Sequence, residues 1–309
     1  MNKEIKIYVA GHKGLVGSAI VRNLNGRGYH NIVVRAHNEL DLTNQAEVDI
    51  FFANERPECV FLAAAKVGGI GANSSQPVDF ILENLLIECN VIRSAFKHDV
   101  AKLMFLGSSC IYPKMCHQPI KEEYLLSGPL EETNEAYALA KISGLKMCQF
   151  YNKQYGTKYI SVMPTNLYGP NDNYDLNNSH VLPALLRKMH EAKVQNKSSV
   201  DVWGTGSPLR EFLHVDDMAD ACCYLMETYE GNEFFNVGTG KEISIRDLAE
   251  LIKRVVGYEG EICFNTSKPD GTPRKLLDVS RLTADGWSYN IELIDGIKAT
   301  YEDYVKVYA

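Results

Sequence analysis

Paired cysteines, long apolar runs, repeats and an excess of positive charge are all missing from this sequence, and each gap removes a class of protein. The eight cysteines (59, 89, 110, 116, 148, 222, 223 and 263) form no CxxC pair and no ligand-like grouping with histidine. That usage excludes a zinc module or a disulfide framework, so no metal is expected, and it fits a reducing compartment. No run of about 18 apolar residues occurs, and Met1 to Gly14 carries only a few apolar residues before a glycine turn. Neither a membrane span nor a secretory leader is expected, and the protein reads as soluble and cytoplasmic. Against 39 acidic residues stand 32 lysines and arginines, a net charge of -7, which argues against nucleic acid or an anionic membrane as a partner.

What is present is enough for a large core: 309 residues, 45% of them apolar, suit one big domain or a main domain with a smaller one. The stretch from Ile5 to Ala10 reads as a first strand. Gly11-His12-Lys13-Gly14-Leu15-Val16-Gly17 follows at once and leads into a helical pattern. Glycines in this GxxGxxG spacing allow a tight turn, close approach of backbone to a pyrophosphate, and packing of helix on strand, while the helix N-terminus attracts the anion. A second strand, Asn31 to Arg35, ends where an NAD enzyme usually offers an acid to the ribose hydroxyls. Arg35, Ala36 and His37 stand there instead, with Lys13 in the glycine turn. Such a cationic pocket suits the 2'-phosphate of NADP, the alternative being a solvated charge cluster.

Asp41-Leu42 opens a further segment, with a helix to Asn54 and a strand from Glu58 to Ala65. The small residues Ala63, Ala64 and Ala65 let a cofactor lie close to the sheet, and Val67 to Gly71 reads as a flexible loop at the strand's carboxyl end. Val78 to His98 is a long helix, apolar around more than one face and therefore buried on two sides, either in a subunit interface with the helix of Tyr137 or within a monomer.

The chemistry concentrates in Gly107-Ser108-Ser109-Cys110-Ile111-Tyr112-Pro113-Lys114, which follows the apolar strand Leu103 to Leu106, and in Tyr137-Ala138-Leu139-Ala140-Lys141. Tyr137 and Lys141 are four apart and on a helix project from one face. A phenol of pKa near ~10 becomes useful at neutral pH when a cation beside it favours its ionised form, and Lys141 is that cation. Ser108 or Ser109 could join the phenol in holding a substrate carbonyl oxygen. On their own, Tyr137 and Lys141 could equally be surface residues of an ordinary helix.

Another strand, Tyr159 to Met163, runs into Pro164-Thr165-Asn166-Leu167-Tyr168-Gly169-Pro170. Strand and helix alternate to this point as in a doubly wound parallel sheet. The expected fold is α/β: a Rossmann-type domain over residues 1–170, with returning segments near 205–240, and a smaller α/β substrate-binding domain over most of 171–309. The later region has an Asn-rich loop, a helix from about Val181 to Ala192 with Arg187 and Lys188, strands at Val200 to Gly204 and Arg210 to His214, a segment Phe234 to Gly238, a helix Ile245 to Val256, and Lys268 to Lys275.

With the glycine turn, the serines after a strand and YxxxK in order, the chain resembles an extended short-chain dehydrogenase/reductase. The segments GHKGLVGSAI, LAAAKVGGI, LGSSCIYPK, YALAK, MPTNLYGPNDN, SHVLPALLRK, REFLHVDDMA and KPDGTPRKLLDV narrow the resemblance, essentially end to end, to the branch that makes GDP-L-fucose from GDP-4-keto-6-deoxy-D-mannose. That resemblance implies 3,5-epimerisation, then NADPH-dependent reduction at C4, in a homodimer. It makes Tyr137 the proton donor with Lys141 its cationic neighbour and Ser108 assisting, and it makes Cys110 and His180 the pair that moves protons during epimerisation. It implies a cofactor set of Gly11 to Gly17, Arg35, His37, Asp41, Leu42, Ala63 to Ala65, Leu106, Gly107, Ser108, Tyr137, Lys141, Pro164, Thr165, Asn166, Leu167 and His180. Lys188, Trp203, Arg210 and Asp270 match positions that hold the GDP-sugar. The family often has arginine where Lys13 and His37 stand here, so NADP preference rests more on Arg35.

The residue types make chemical sense. A C4 ketone acidifies the hydrogens on C3 and C5, because removing either gives an enolate whose oxygen the Ser and Tyr hydroxyls stabilise. Inversion needs two groups flanking the ring, one to take a proton and one to return it. Cys110 must ionise to act as the base, with Lys141 the cation at hand, and His180 is suited to donate near neutrality. Trp203 could stack on guanine or fill core, Arg210 suits a diphosphate, and Asp270 could accept hydrogen bonds or simply form a Pro-Asp-Gly turn. A plain sugar-nucleotide epimerase or reductase, needing neither Cys110 nor His180, and a non-catalytic dinucleotide sensor are the competing readings.

Overall fold

Strands in the first half of the chain carry apolar side chains on both faces, so they must be sandwiched between helices. The computed structural model, which describes residues 1–176, 179–268 and 270–308, has this arrangement. Asn177 and Asn178 of the Asn-rich loop, Pro269 of the Pro-Asp-Gly segment and Ala309 lie outside the described residues. In chain order come β1 (Ile7–Ala10), α1 (Leu15–Gly26), β2 (Ile32–Val33), α2 (Gln45–Glu55), β3 (Cys59–Leu62), α3 (Ile70–Ser75), α4 (Pro77–Lys97), β4 (Lys102–Leu106), α5 (Glu135–Tyr155) and β5 (Lys158–Pro164). The remainder is β6 (Asn166–Tyr168), α6 (Val181–Val194), β7 (Ser199–Trp203), β8 (Leu209–His214), α7 (Val215–Thr228), β9 (Phe235–Val237), β10 (Glu242–Ser244), α8 (Ile245–Val256), β11 (Glu261–Asn265), β12 (Arg274–Lys275), α9 (Ser280–Asp285) and α10 (Leu293–Tyr308).

Six parallel strands in the order β2-β1-β3-β4-β5-β9 form the central sheet. Because side chains alternate along a strand, Ile7, Val9, Phe61 and Met104 face α1 and α7, whereas Tyr8, Val60, Leu62, Leu103 and Phe105 face α2, α4 and α5. Each such burial contributes roughly 1.5–3 kcal/mol, so a helix layer on both faces is what the two-sided apolar pattern demands. The second strand is shorter than its sequence suggests. Arg35 turns its guanidinium onto the Val34 carbonyl (2.8 Å) and the Ala36 N–H donates to the Glu39 carboxylate (2.6 Å), so the chain leaves the sheet after Val33. The expected loop Val67 to Gly71 instead runs into α3.

The carboxyl end of β5 passes almost directly into β6, and β6 pairs with β8, which also carries β10 and β12. This small second sheet therefore stands where the main sheet ends, on the side where open α/β sheets bind ligands. Beside it, Leu182, Leu186 and Met189 of α6 share a core with Val200 and Val202 of β7, Leu248 and Ile252 of α8, and Ile297 of α10.

Candidate active site

The glycine turn is closed by contact. Gly11 has φ +84°, and a Cβ on Gly17 would lie 2.1 Å from the Gly11 carbonyl oxygen. One on Gly11 would lie 2.7 Å from the Ala64 nitrogen, so the turn is pressed onto the Ala63-Ala64-Ala65 segment. Helix α1 begins at Leu15 with no side-chain cap at Gly14 and no acid in its first turn, which leaves its N–H groups and dipole for an anion. His12, Lys13 and Val16 border this turn, and the His12 Nδ1 atom is buried without a partner. The cradle fits a dinucleotide pyrophosphate.

At the far end of the cradle, Arg35 pairs with Glu55 at 2.5 Å and lies over the Phe51 ring, while Lys13 and His37 are exposed. A carboxylate thus already occupies the cation assigned to a 2'-phosphate. Asp41 turns into its own loop, accepting from the Thr43 N–H (2.9 Å) and hydroxyl (2.7 Å), which hold its carboxyl below the usual range; Leu42 packs in the core. Asn84 of α4 bonds both the N–H and the carbonyl of Lys66 at 3.0 Å and so fixes the chain after Ala65. Across the sheet, Gly107 after Leu106 leaves room for the Met163 side chain. Beyond Pro164 and beside Leu167, Thr165 and Asn166 donate side-chain hydrogen bonds to the Glu211 carbonyl.

Tyr137 and Lys141 do share one face of α5, with the ammonium 5.7 Å from the phenol ring centre. The ammonium itself lies 3.0 Å from the carboxylate of Glu88 on α4, both side chains almost wholly buried. The cation that the sequence sets beside the phenol is thus already paired with a carboxylate. Tyr137 is pushed well above the ordinary phenol range by burial first, then by Cys110 and Glu88. Burial also pushes Glu88 up, opposed by Lys141.

Cys110 sits in a short turn after β4, where its N–H donates to the Ser108 Oγ atom at 3.3 Å. Burial raises its thiol, and the strongest opposing cation is Lys275 of β12; Lys141, the cation expected from the sequence, acts more weakly. Lys275 also lies near His180 and, with burial, pulls that imidazole below its ordinary value. The sequence makes His180 a donor near neutrality; here its imidazole is shifted toward the neutral form. His180 is exposed to water and Lys275 is half-buried, and its surroundings together with Arg210 pull the Lys275 ammonium below its ordinary range. Lys275 is in register with Arg210 of β8, whose guanidinium is likewise largely surrounded and whose charge burial disfavours. Two adjacent cations in one cleft suit an anionic ligand.

The strand β7 turns Val200 and Val202 inward, leaving Trp203 60% exposed, which removes the core-filling reading of that indole. Lys188 and Lys268 lie over its ring at 5.8 and 5.3 Å. Asp270 accepts from the Thr205 N–H (2.7 Å) and hydroxyl (2.9 Å), so it secures the turn that follows Trp203.

Sequence reasoning missed Glu88, Lys275, Glu211 and Asn84. Asn84 and Glu88 carried a signal, two polar residues one turn apart within a strongly apolar helix. Lys275 carried none beyond its place in a charged C-terminal segment, since only β12 pairing brings it to the cleft. Among the described residues, no three His, Cys, Asp or Glu side chains gather to hold a metal, and no helix is long and apolar enough to cross a membrane.

The pattern of the NAD dependent epimerase/dehydratase family matches residues 7–238. The GDP-L-fucose synthase 1 of Arabidopsis thaliana is 60% identical over 99% of this chain and 94% of its own, and the GDP-L-fucose synthase of Escherichia coli K12 is 54% identical over 99% and 98%. The solved GDP-mannoheptose C4 reductase of Campylobacter jejuni, with NADP bound, superimposes with a TM-score of 0.92 at 45% identity over 99% of each chain. The cradle, the YxxxK pair and these end-to-end matches agree: the chain belongs to the NAD dependent epimerase/dehydratase family and, within it, to the GDP-L-fucose synthases.

Proposed function

We propose that this protein converts GDP-4-keto-6-deoxy-D-mannose to GDP-L-fucose, by epimerisation at C3 and C5 and then reduction at C4. What supports the reading is that Cys110 and His180, 70 positions apart, both feel the charge of Lys275, and that Tyr137 feels that of Cys110. A neutral thiol and a neutral imidazole on one ring offer one proton to give and one lone pair to take, as inversion requires. Ser108 and Tyr137 hold the C4 oxygen while it carries charge, and Tyr137 then protonates it. NADPH, when bound, supplies the hydride; the glycine cradle holds its pyrophosphate and Arg35 its 2'-phosphate. Arg210 and Lys275 take the diphosphate of the sugar nucleotide, with guanine against Trp203.

In this reading residues 1–170, with the segment returning near 205–240, hold the cofactor and most of 171–309 holds the sugar nucleotide. The protein works in the cytoplasm, in keeping with its free thiols. It works as a homodimer formed by α4 and α5, on which Val78, Leu82, Leu86, Leu139, Phe150 and Tyr155 are exposed.

Incubation of GDP-4-keto-6-deoxy-D-mannose in deuterated water with NADPH and, separately, NADH, followed by NMR, tests the proposal. GDP-L-fucose labelled at C3 and C5, formed faster with NADPH, is the expected product. A C4 alcohol with neither carbon labelled would instead make the protein a C4 reductase without epimerase activity.

A further inference from the structure

The carboxylate of Glu88 has no part in the reaction as set out above, yet it is the least expected group in the core. It is 1% exposed, on a helix whose neighbouring positions Val91, Ile92 and Ala95 are wholly apolar and buried. Its Oε1 atom lies 3.0 Å from the Lys141 ammonium, itself 2% exposed, and neither carboxylate oxygen accepts a well-directed hydrogen bond. Helix α5 makes room for it. A Cβ at Gly144 would stand 2.7 Å from Glu88 Oε2 and 2.4 Å from the Phe105 ring, so glycine lets the carboxylate reach past the helix backbone. The ammonium has aromatic faces on its other sides, Phe105 at 4.9 Å and Tyr137 at 5.7 Å.

A buried, poorly hydrogen-bonded ion pair contributes little net stability, because desolvating two charges offsets most of their attraction. Packing alone would be served as well by an apolar pair.

We propose that Glu88 is a positioning residue for the C4 reduction: it anchors the Lys141 ammonium and offsets its charge, so that the Tyr137–Lys141 pair keeps its full set of protons and the phenol stands ready as an acid. The inference rests on Tyr137 being the proton donor. Beyond burial, the Glu88 carboxylate favours the protonated phenol, and Cys110 would do the same whenever its thiol ionised. Other titratable groups around the pair are Cys148 on α5 and Cys89 on α4, which both sense Glu88, and Lys275, which acts on Cys110 from β12. A reductase needs its donor loaded when the carbonyl arrives; a bare ammonium beside the phenol would instead favour the phenolate.

The test is the pH dependence of NADPH oxidation by Glu88→Gln and Glu88→Asp in the full-length protein, with the 4-keto-6-deoxy sugar nucleotide saturating. In Glu88→Gln the pair sheds a proton sooner, so the basic limb of kcat moves down by about one unit or more. KM for both substrates stays within a few-fold, and Glu88→Asp, which keeps the charge, brings the limb part of the way back. An unmoved limb with a lower plateau, or a loss of thermal stability alone, would mean that the pair merely joins α4 to α5 and would overturn the proposal. If Glu88→Gln does not fold, Glu88→Asp is read against wild type on the same limb. Ultraviolet titration of tyrosinate, taken as the difference between each Glu88 form and the same form carrying Tyr137→Phe, needs no substrate. It decides the role of Glu88 even if the wild-type enzyme fails to reduce this sugar nucleotide, an outcome that counts against the proposed function alone.

Discussion

The two halves of the cleft are built in opposite ways. On the reduction side, Tyr137 and Lys141 sit one turn apart on α5, and Ser108 leaves the tip of the adjacent strand β4. The spacing of a helix sets that geometry before any tertiary contact forms. On the epimerisation side, Cys110 comes from the turn after β4, His180 from the residue before α6, and Lys275 from a two-residue strand near the C-terminus. Only the pairing of β12 with β8, and of β6 with β8, brings these to one place. The first half is local and is backed by a buried ion pair; the second is assembled at a distance, with Cys110 buried and His180 exposed to water. Damage to the two halves is therefore expected to separate by readout.

The largest effect is expected from Tyr137→Phe, which removes the proton donor and lowers the rate of NADPH oxidation by about 10²–10⁴-fold. Solvent deuterium should still enter C3 and C5, followed by NMR, though more slowly because Ser108 alone then holds the enolate oxygen; an equal loss of both signals would show that the halves are not independent. Next, Cys110→Ser is expected to slow deuterium entry by about 10²-fold or more, while an already epimerised ketone is still reduced within a few-fold of wild type. Equal losses in the two assays would leave the sulfur without a special role.

A smaller change follows from Lys275→Gln. Burial raises the Cys110 thiol and Lys275 opposes that rise, so without the ammonium the midpoint for thiol alkylation should climb by about one unit. A midpoint that stays in place would hand the role back to Lys141. Smallest is Glu55→Gln, which frees Arg35 for a 2'-phosphate. Both partners are partly exposed, and such a pair is worth at most about 1 kcal/mol. KM for NADPH should therefore fall by about five-fold or less, with KM for NADH unchanged.

Much of the reduction side was legible because it depends on short-range rules. GxxGxxG between a strand and a helix implied the cradle, since the close contacts of Gly11 and Gly17 leave no room for a side chain. Two-sided apolar strands implied helices on both faces of the sheet. Trp203 was ambiguous because a single indole has no period; its outward face became clear only from the alternation of β7. Asp270 was drawn to the Thr205 turn and Arg35 to Glu55 by neighbours 65 and 20 positions away, which no local pattern encodes. Lys141 was correctly placed beside Tyr137, but its partner on α4 was not, because an ion pair between two helices depends on how they pack.

By itself, the sequence determined what periodicity and steric limits can fix: the α/β alternation, the glycine cradle and the shared face of Tyr137 and Lys141. The tertiary structure alone decided which charges meet. Electrostatic influence falls off over a few ångströms and burial sets its strength, so Glu88 at Lys141, Lys275 at Cys110 and His180, and Glu55 at Arg35 depend on packing between elements rather than on position along the chain.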